Sequence, residues 1–349
     1  MSYAPLTRHE TASVIEGCSV APRVPMMVHF WTDPARFGVQ ERRARDILAT
    51  YPMDVQTIGI RMPGMYDAPE DDPEYRWMNY SDPDIDCGGA IDSKMAIPDW
   101  SLLDAILENW PSPEYPGLIP AGIVSDGRYM LGNFWFCYFE RHWSMRGMTN
   151  ALMDYYTDPE SVHRLFRALT DFYLRMMERA RHEAGIDGIF TSDDLGTQTG
   201  PFFSPEIFRE FFLPYYAELF AKAHELDMHF WLHCCGNVEK FIPDWIDAGL
   251  DVLHPIQKHT MDDQVIAERF GQNICVWAGL DVQQVIPWGT PEEVRVEIRY
   301  LIDTYWRPKE GRLMITAGNG ITADCPIESL EAFCDETYHY GLKRCAADG

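Results

Sequence analysis

The chain has 349 residues, enough for one large barrel or two ordinary domains with a substantial core. Its 54 acidic against 29 basic residues leave a formal charge of −25, which argues against a nucleic-acid backbone or an anionic membrane surface as partner. Nine cysteines lack the density of a secreted disulfide scaffold, no charged-then-apolar signal pattern opens the chain, and no apolar run nears the ~20 residues that span a bilayer, so a reducing cytoplasm is expected.

Residues 1–22 are polar and without periodicity, and read as an arm, either flexible or ordered only against another subunit. Residues 23–349 read as a single domain. Arg23 to Trp31 is a candidate strand, Pro34 to Tyr51 has helical spacing, and Asp54 to Ile60 is a second strand. Residues 61–99 are rich in Pro, Asp, Gly and Tyr and read as an excursion that shapes a pocket. His29, Trp77 and Tyr80 are candidates to line that pocket, each with a structural role as the plainer reading. Trp100 to Asn109 is helical and is stopped by a proline-rich run, after which Leu118 to Val124 reads as a strand. Phe134 to Asp158 is aromatic and then helical. It holds Glu140, Arg141 and Arg146, whose charges would be costly there unless they pair; pairing among themselves is the expectation, with anchoring of an acidic substrate group second. Pro159 to His182 is a long amphipathic helix.

From Ala184 strands and helices alternate. Strand 187–191 leads to Ser192-Asp193-Asp194, and Ser204-Pro205-Glu206 opens a helix that Pro214 kinks or divides. Strands at 228–233, 250–253, 274–278 and 312–316 follow, each with a helix after it. Five strands here and three upstream predict a (β/α)8 barrel with right-handed crossovers. In such a barrel the chemistry gathers after the strands. Asp193 and Asp194, His233 and Cys235, His254 and Gln257, Asp281 and Asn319 all sit there.

The run His233-Cys234-Cys235-Gly236-Asn237 closes one of these strands. Residues i and i+2 share a side of an extended segment, so His233 and Cys235 can face one ion while Cys234 turns away. Zinc takes mixed imidazole and thiolate ligands, and a catalytic zinc has three protein ligands and one open position. Cys325 is the candidate third ligand. A buried turn of small core thiols fits the same spacing. Asp193 or Asp194 is expected to donate a proton or orient a hydroxyl, and His254, Gln257 and Asn319 to meet substrate, with His254 also readable as a satisfied core histidine.

Residues 139–163 (FERHWSMRGMTNALMDYYTDPESVH), 193–216 (DDLGTQTGPFFSPEIFREFFLPYY), the His-Cys-Cys-Gly-Asn turn, Pro255-Ile256-Gln257 and Gly318 to Pro326 together resemble the uroporphyrinogen decarboxylase superfamily. The resemblance implies a (β/α)8 barrel and a homodimer. Val24 to Phe30 lacks the arginines with which the true decarboxylases hold a tetrapyrrole, whereas His233 and Cys235 match the zinc pattern of the corrinoid-dependent methyltransferases. In thiol-methylating members the third ligand lies in a Gly-Cys-Gly-like turn, where this chain has Gly318-Asn319-Gly320. The resemblance therefore implies the methyltransferase component of an O-demethylase, which passes a methyl group from a methoxylated aromatic compound to Co(I) on a separate corrinoid protein. Methyl transfer from corrinoid to a thiol, a metal-free decarboxylase and a silent binding barrel are the alternatives.

Overall fold

The computed structural model describes residues 2–19, 21–64 and 95–348. Within them, β1 (Val55–Gly59), β2 (Tyr129–Asn133), β3 (Gly188–Ser192), β4 (His229–His233), β5 (Val252–His254), β6 (Cys275–Leu280) and β7 (Leu313–Ala317) form one parallel sheet in sequential order. β3, β6 and β7 are buried along their whole length, as expected of strands covered on both faces. Helices return the chain between strands, among them Pro159–Arg179, Leu213–Glu225 and Pro291–Tyr305. The last of these starts with a Thr290–Glu293 capping box and a proline in its first turn.

The sheet curls until its ends almost meet, and the segment around Met26 fills the gap. Met26 makes a parallel bridge to Ile315 on β7, and its carbonyl accepts the Asp54 N–H at 3.1 Å beside β1. Among the described residues the barrel thus has seven full strands and an eighth stave reduced to a bridge. The expected strand from Arg23 to Trp31 shrinks to this contact because Val28–Trp31 winds into a short 3-10 turn. Arg23 secures the stave: its guanidinium grips Asp54 through two bonds of 2.6 and 2.7 Å, both side chains being buried.

Two other expectations are corrected. The strand expected at Leu118 to Val124 is instead irregular, interrupted by Pro120 and Gly122, and the chain enters the sheet later, at Tyr129–Asn133. The N-terminal segment, read as an arm either flexible or ordered only against another subunit, contains within this chain the helix Arg8–Glu16, opened by a Thr7–Glu10 capping box that the sequence displays. That helix closes the N-terminal face of the barrel through Arg8 to Asp187 (2.7 Å) and buries Val14 and Ile15. The helix expected after Ser204 divides into Pro205–Phe211 and Leu213–Glu225, with Pro214 in the first turn of the second.

Aromatic rings fill the barrel interior. Trp277 packs edge-on against Trp231 and Phe190, with ring centres 5.4 Å apart in each case, and Phe30 joins them from the 3-10 turn. This layer is a packed floor under the C-terminal mouth, where the site lies.

Candidate active site

Strand register brings the site together. Ser192 pairs with His233 and His233 with His254, so three polar residues stand abreast at the C-terminal ends of β3, β4 and β5. Beyond them, the loops after β3 and β4 touch backbone to backbone at Gly196 and Gly236. A Cβ on Gly236, whose φ is +85°, would lie 2.3 Å from the Gly196 carbonyl carbon. This approach carries Asp194 to the His-Cys-Cys turn, where its Oδ1 accepts the Cys235 N–H at 2.7 Å.

Asp194, His233 and Cys235 form the cluster. His233 Nε2 lies 3.3 Å from Cys235 Sγ and 3.5 Å from Asp194 Oδ1, and all three ligand atoms fall within 4.8 Å of one another. Among the described residues this is the one group of three or more such side chains able to share an ion. Burial lowers the His233 pKa and keeps the ring neutral, and burial raises the Cys235 thiol, which the Asp194 charge pushes up further. Beneath the cluster, His233 Nδ1 and His254 Nδ1 are 2.7 Å apart, and His254 Nε2 is 3.0 Å from the Ala317 carbonyl.

Asp194 and Cys235 open into a cavity of about 260 Å³ at the barrel mouth. Gln257 and Asn319 line it, as do Gln198, Lys258 and Asp281. Gln257 Oε1 also accepts the Gly236 N–H at 2.6 Å, and the Asn319 amide points to Cys235 Sγ at 3.8 Å. Lys258 is held by Asp263 at 2.7 Å and lies over the Tyr300 ring.

The other expected site residues fall elsewhere. Cys325 is outside the cluster: its thiol donates to the Pro326 carbonyl at 3.4 Å, and burial pushes it up to about 12. Asp193 is fully buried and serves the start of the helix Phe139–Arg146. It accepts the N–H groups of Glu140 (2.8 Å) and Tyr138 (3.0 Å) and the Tyr216 hydroxyl (2.5 Å). His29 turns away to the Leu48 carbonyl at 2.6 Å. His254 is wholly buried below the cavity. Trp77 and Tyr80 lie outside the described residues.

Glu140, Arg141 and Arg146 do not simply pair among themselves, as the sequence led one to expect. Arg146 pairs with Asp154 through two 2.8 Å bonds, and Arg141 reaches the Trp135 carbonyl at 3.2 Å. Glu140 instead accepts the Ser192 hydroxyl at 2.5 Å. Burial, then the charges of Asp194 and Asp193, push its carboxyl up to about 8, so it keeps its proton at neutral pH. A lone acid in an apolar helix start was the signal, and its cost is met by protonation. Trp31 and Trp135 add an aromatic wall beside His233, at 5.3 and 6.4 Å between ring centres.

The family model described as Uroporphyrinogen decarboxylase (URO-D) matches residues 136–340. A methylated-thiol–coenzyme M methyltransferase of Methanosarcina mazei is 29% identical over 185 residues, 52% of this chain and 46% of that protein. A methylcobamide:CoM methyltransferase of the same organism is 26% identical over 187 residues, 53% of this chain and 52% of that one. The chain thus aligns with about half the length of these relatives. A solved structure of a methyltransferase from Methanosarcina mazei superposes with a TM-score of 0.57 at 15% identity, covering 96% of this chain and 99% of that chain, which is agreement in fold.

Proposed function

We propose, for a chain that belongs to the uroporphyrinogen decarboxylase (URO-D) family, that it moves a methyl group from a methoxylated aromatic compound to the cobalt(I) of a corrinoid carried by a separate protein. The observation that carries this reading is the Asp194–His233–Cys235 cluster opening into the cavity at the barrel mouth. The donor set fits zinc: a neutral imidazole, a thiol that can ionise on binding and a carboxylate make three protein ligands. Bound there, zinc would supply Lewis acidity toward the ether oxygen of the substrate.

The residues then divide the work. An aryl methyl ether resists cleavage because its phenolate leaves reluctantly. As the oxygen–methyl bond breaks, the methyl passes to cobalt and the oxygen takes up a proton, for which Glu140 is the neutral acid close to the cluster. Gln257 and Asn319 offer amides to ring substituents. Lys258 is already neutralised, so a substrate without a strong anionic group suits the cavity best.

The named relatives favour a second reading, methyl transfer to a thiol. The two differ in proton balance. Ether cleavage consumes a proton, which fits a protonated Glu140, whereas methylation of a thiol releases one. The test is to incubate the purified chain with cob(I)alamin and a panel of methoxybenzenes, and separately with methylcobalamin and small thiols. Phenol formation with loss of the cob(I)alamin absorbance supports the ether reading; thioether formation alone would replace it with the second.

A further inference from the structure

His254 has more specific contacts than a filler of the core needs. Its ring is stacked on Trp31, with 5.1 Å between centres and 11° between planes, and Trp277 lies 4.4 Å away between centres with its plane inclined by 45°. Both ring nitrogens have partners. One of these is a backbone carbonyl, which can only accept, so His254 Nε2 carries a hydrogen. A neutral imidazole has one N–H, which leaves a lone pair on His254 Nδ1. His233 Nδ1, 2.7 Å away, must then be the donor. Its single hydrogen being spent there, His233 presents a bare Nε2 lone pair to Cys235 and Asp194.

We propose that His254 is a positioning residue that fixes His233 in its Nδ1–H tautomer, through a chain running from the Ala317 carbonyl to His254, to His233 and out to the Asp194–Cys235 pair. This rests on the reading of that cluster as a metal site. The chain opposes a real competitor. Asp194 Oδ1, 3.5 Å from His233 Nε2, would by itself draw the hydrogen to Nε2, and an imidazole free in water prefers that tautomer too. With the hydrogen on Nε2 the ring could not bind an ion through that atom. The shorter contact to His254 decides the contest in favour of the ligating form. The register of β4 against β5 makes the arrangement possible, since it sets His233 directly beside His254.

The test uses 15N-histidine labelling of the purified metal-free chain, with the ring nitrogens assigned from His233→Gln and His254→Gln variants. His233 should show a protonated Nδ1 and a pyridine-like Nε2, and His254 the reverse. Zinc affinity is read in parallel by chelator competition. His254→Leu, which can neither accept nor donate, should move His233 to the Nε2–H form and weaken zinc by about 10–100-fold. His254→Gln, whose amide can accept from His233 and donate to Ala317, should stay within about threefold of wild type. A protonated Nε2 on His233 in the wild type would overturn the proposal, as would wild-type affinity in His254→Leu or equal weakening in both variants. The wild-type tautomer is read without metal and without the His254→Leu variant. A chain that bound no zinc at all would therefore overturn the metal reading while this measurement still decided the tautomer chain.

Discussion

His229 and His233 stand at opposite ends of β4, and their surroundings show how one strand separates structure from chemistry. At the N-terminal end, His229 Nδ1 donates to the Tyr129 oxygen at 2.9 Å, while the Tyr129 hydroxyl donates to the Asp187 carbonyl at 2.8 Å. A cavity of about 420 Å³ lies there, lined by Arg8, Glu16, Asp187, His224 and Asp251 among others. Two of its acids have dedicated partners: Asp187 has Arg8 at 2.7 Å, and Asp251 has His224 at 2.9 Å and the Phe230 N–H at 2.7 Å. At the C-terminal end, among the described residues, Asp194 meets a neutral histidine and one N–H in its ion-pair and hydrogen-bond contacts, and a thiol shares the space. Charges that satisfy each other close a fold; donors that converge without a cation are available to bind one.

Substitutions at the two ends should therefore separate. The largest effect is expected for Cys235→Ala, with methyl transfer down by about 10³-fold, the several kcal/mol of a Lewis-acid site, and urea unfolding nearly unchanged. Asp54→Ala, at the closed end, should do the opposite. It strands a buried Arg23, so the unfolding free energy should fall by about 3–5 kcal/mol while metal content per folded chain holds. Glu140→Gln should lower ether cleavage by about 10²-fold and remove a pH limb. In the wild type the rate should fall as pH rises through about 8, where Glu140 loses its proton. Its raised pKa also means that the unfolded chain ionises first, so this group's contribution to stability declines from about pH 4.5 to 8, and the Gln variant should gain relative stability over that window. The smallest effect belongs to His229→Gln: about 1 kcal/mol in denaturant unfolding and activity within about twofold.

How far the sequence reaches follows the same division. The barrel was legible because its later strands are continuous apolar runs separated by capped helices, a local pattern. β2 was not, since YMLGN carries a weaker signal than the apolar but proline-broken run before it. His233 and Cys235 were legible from their spacing at a strand end. Asp194 was visible as a polar residue after β3, but its place beside Cys235 depends on the contact of Gly196 with Gly236, which no local pattern encodes. Cys325 has the right chemistry and lies near in sequence to Asn319, a cavity residue, yet its thiol turns to the Pro326 carbonyl. The partners of the charges around Glu140 are not legible locally, because Asp154 and Ser192, which claim Arg146 and Glu140, come from other helices and strands.

The central claim is that the loops after β3 and β4 build one metal centre from Asp194, His233 and Cys235. The most direct measurement is zinc content by elemental analysis of the wild type and of Asp194→Ala, Cys235→Ala and Cys325→Ala, each purified with thiols protected. The account predicts near-stoichiometric zinc in the wild type and in Cys325→Ala, and its loss in the other two. Zinc kept in Cys235→Ala, or absent from the wild type, would contradict it.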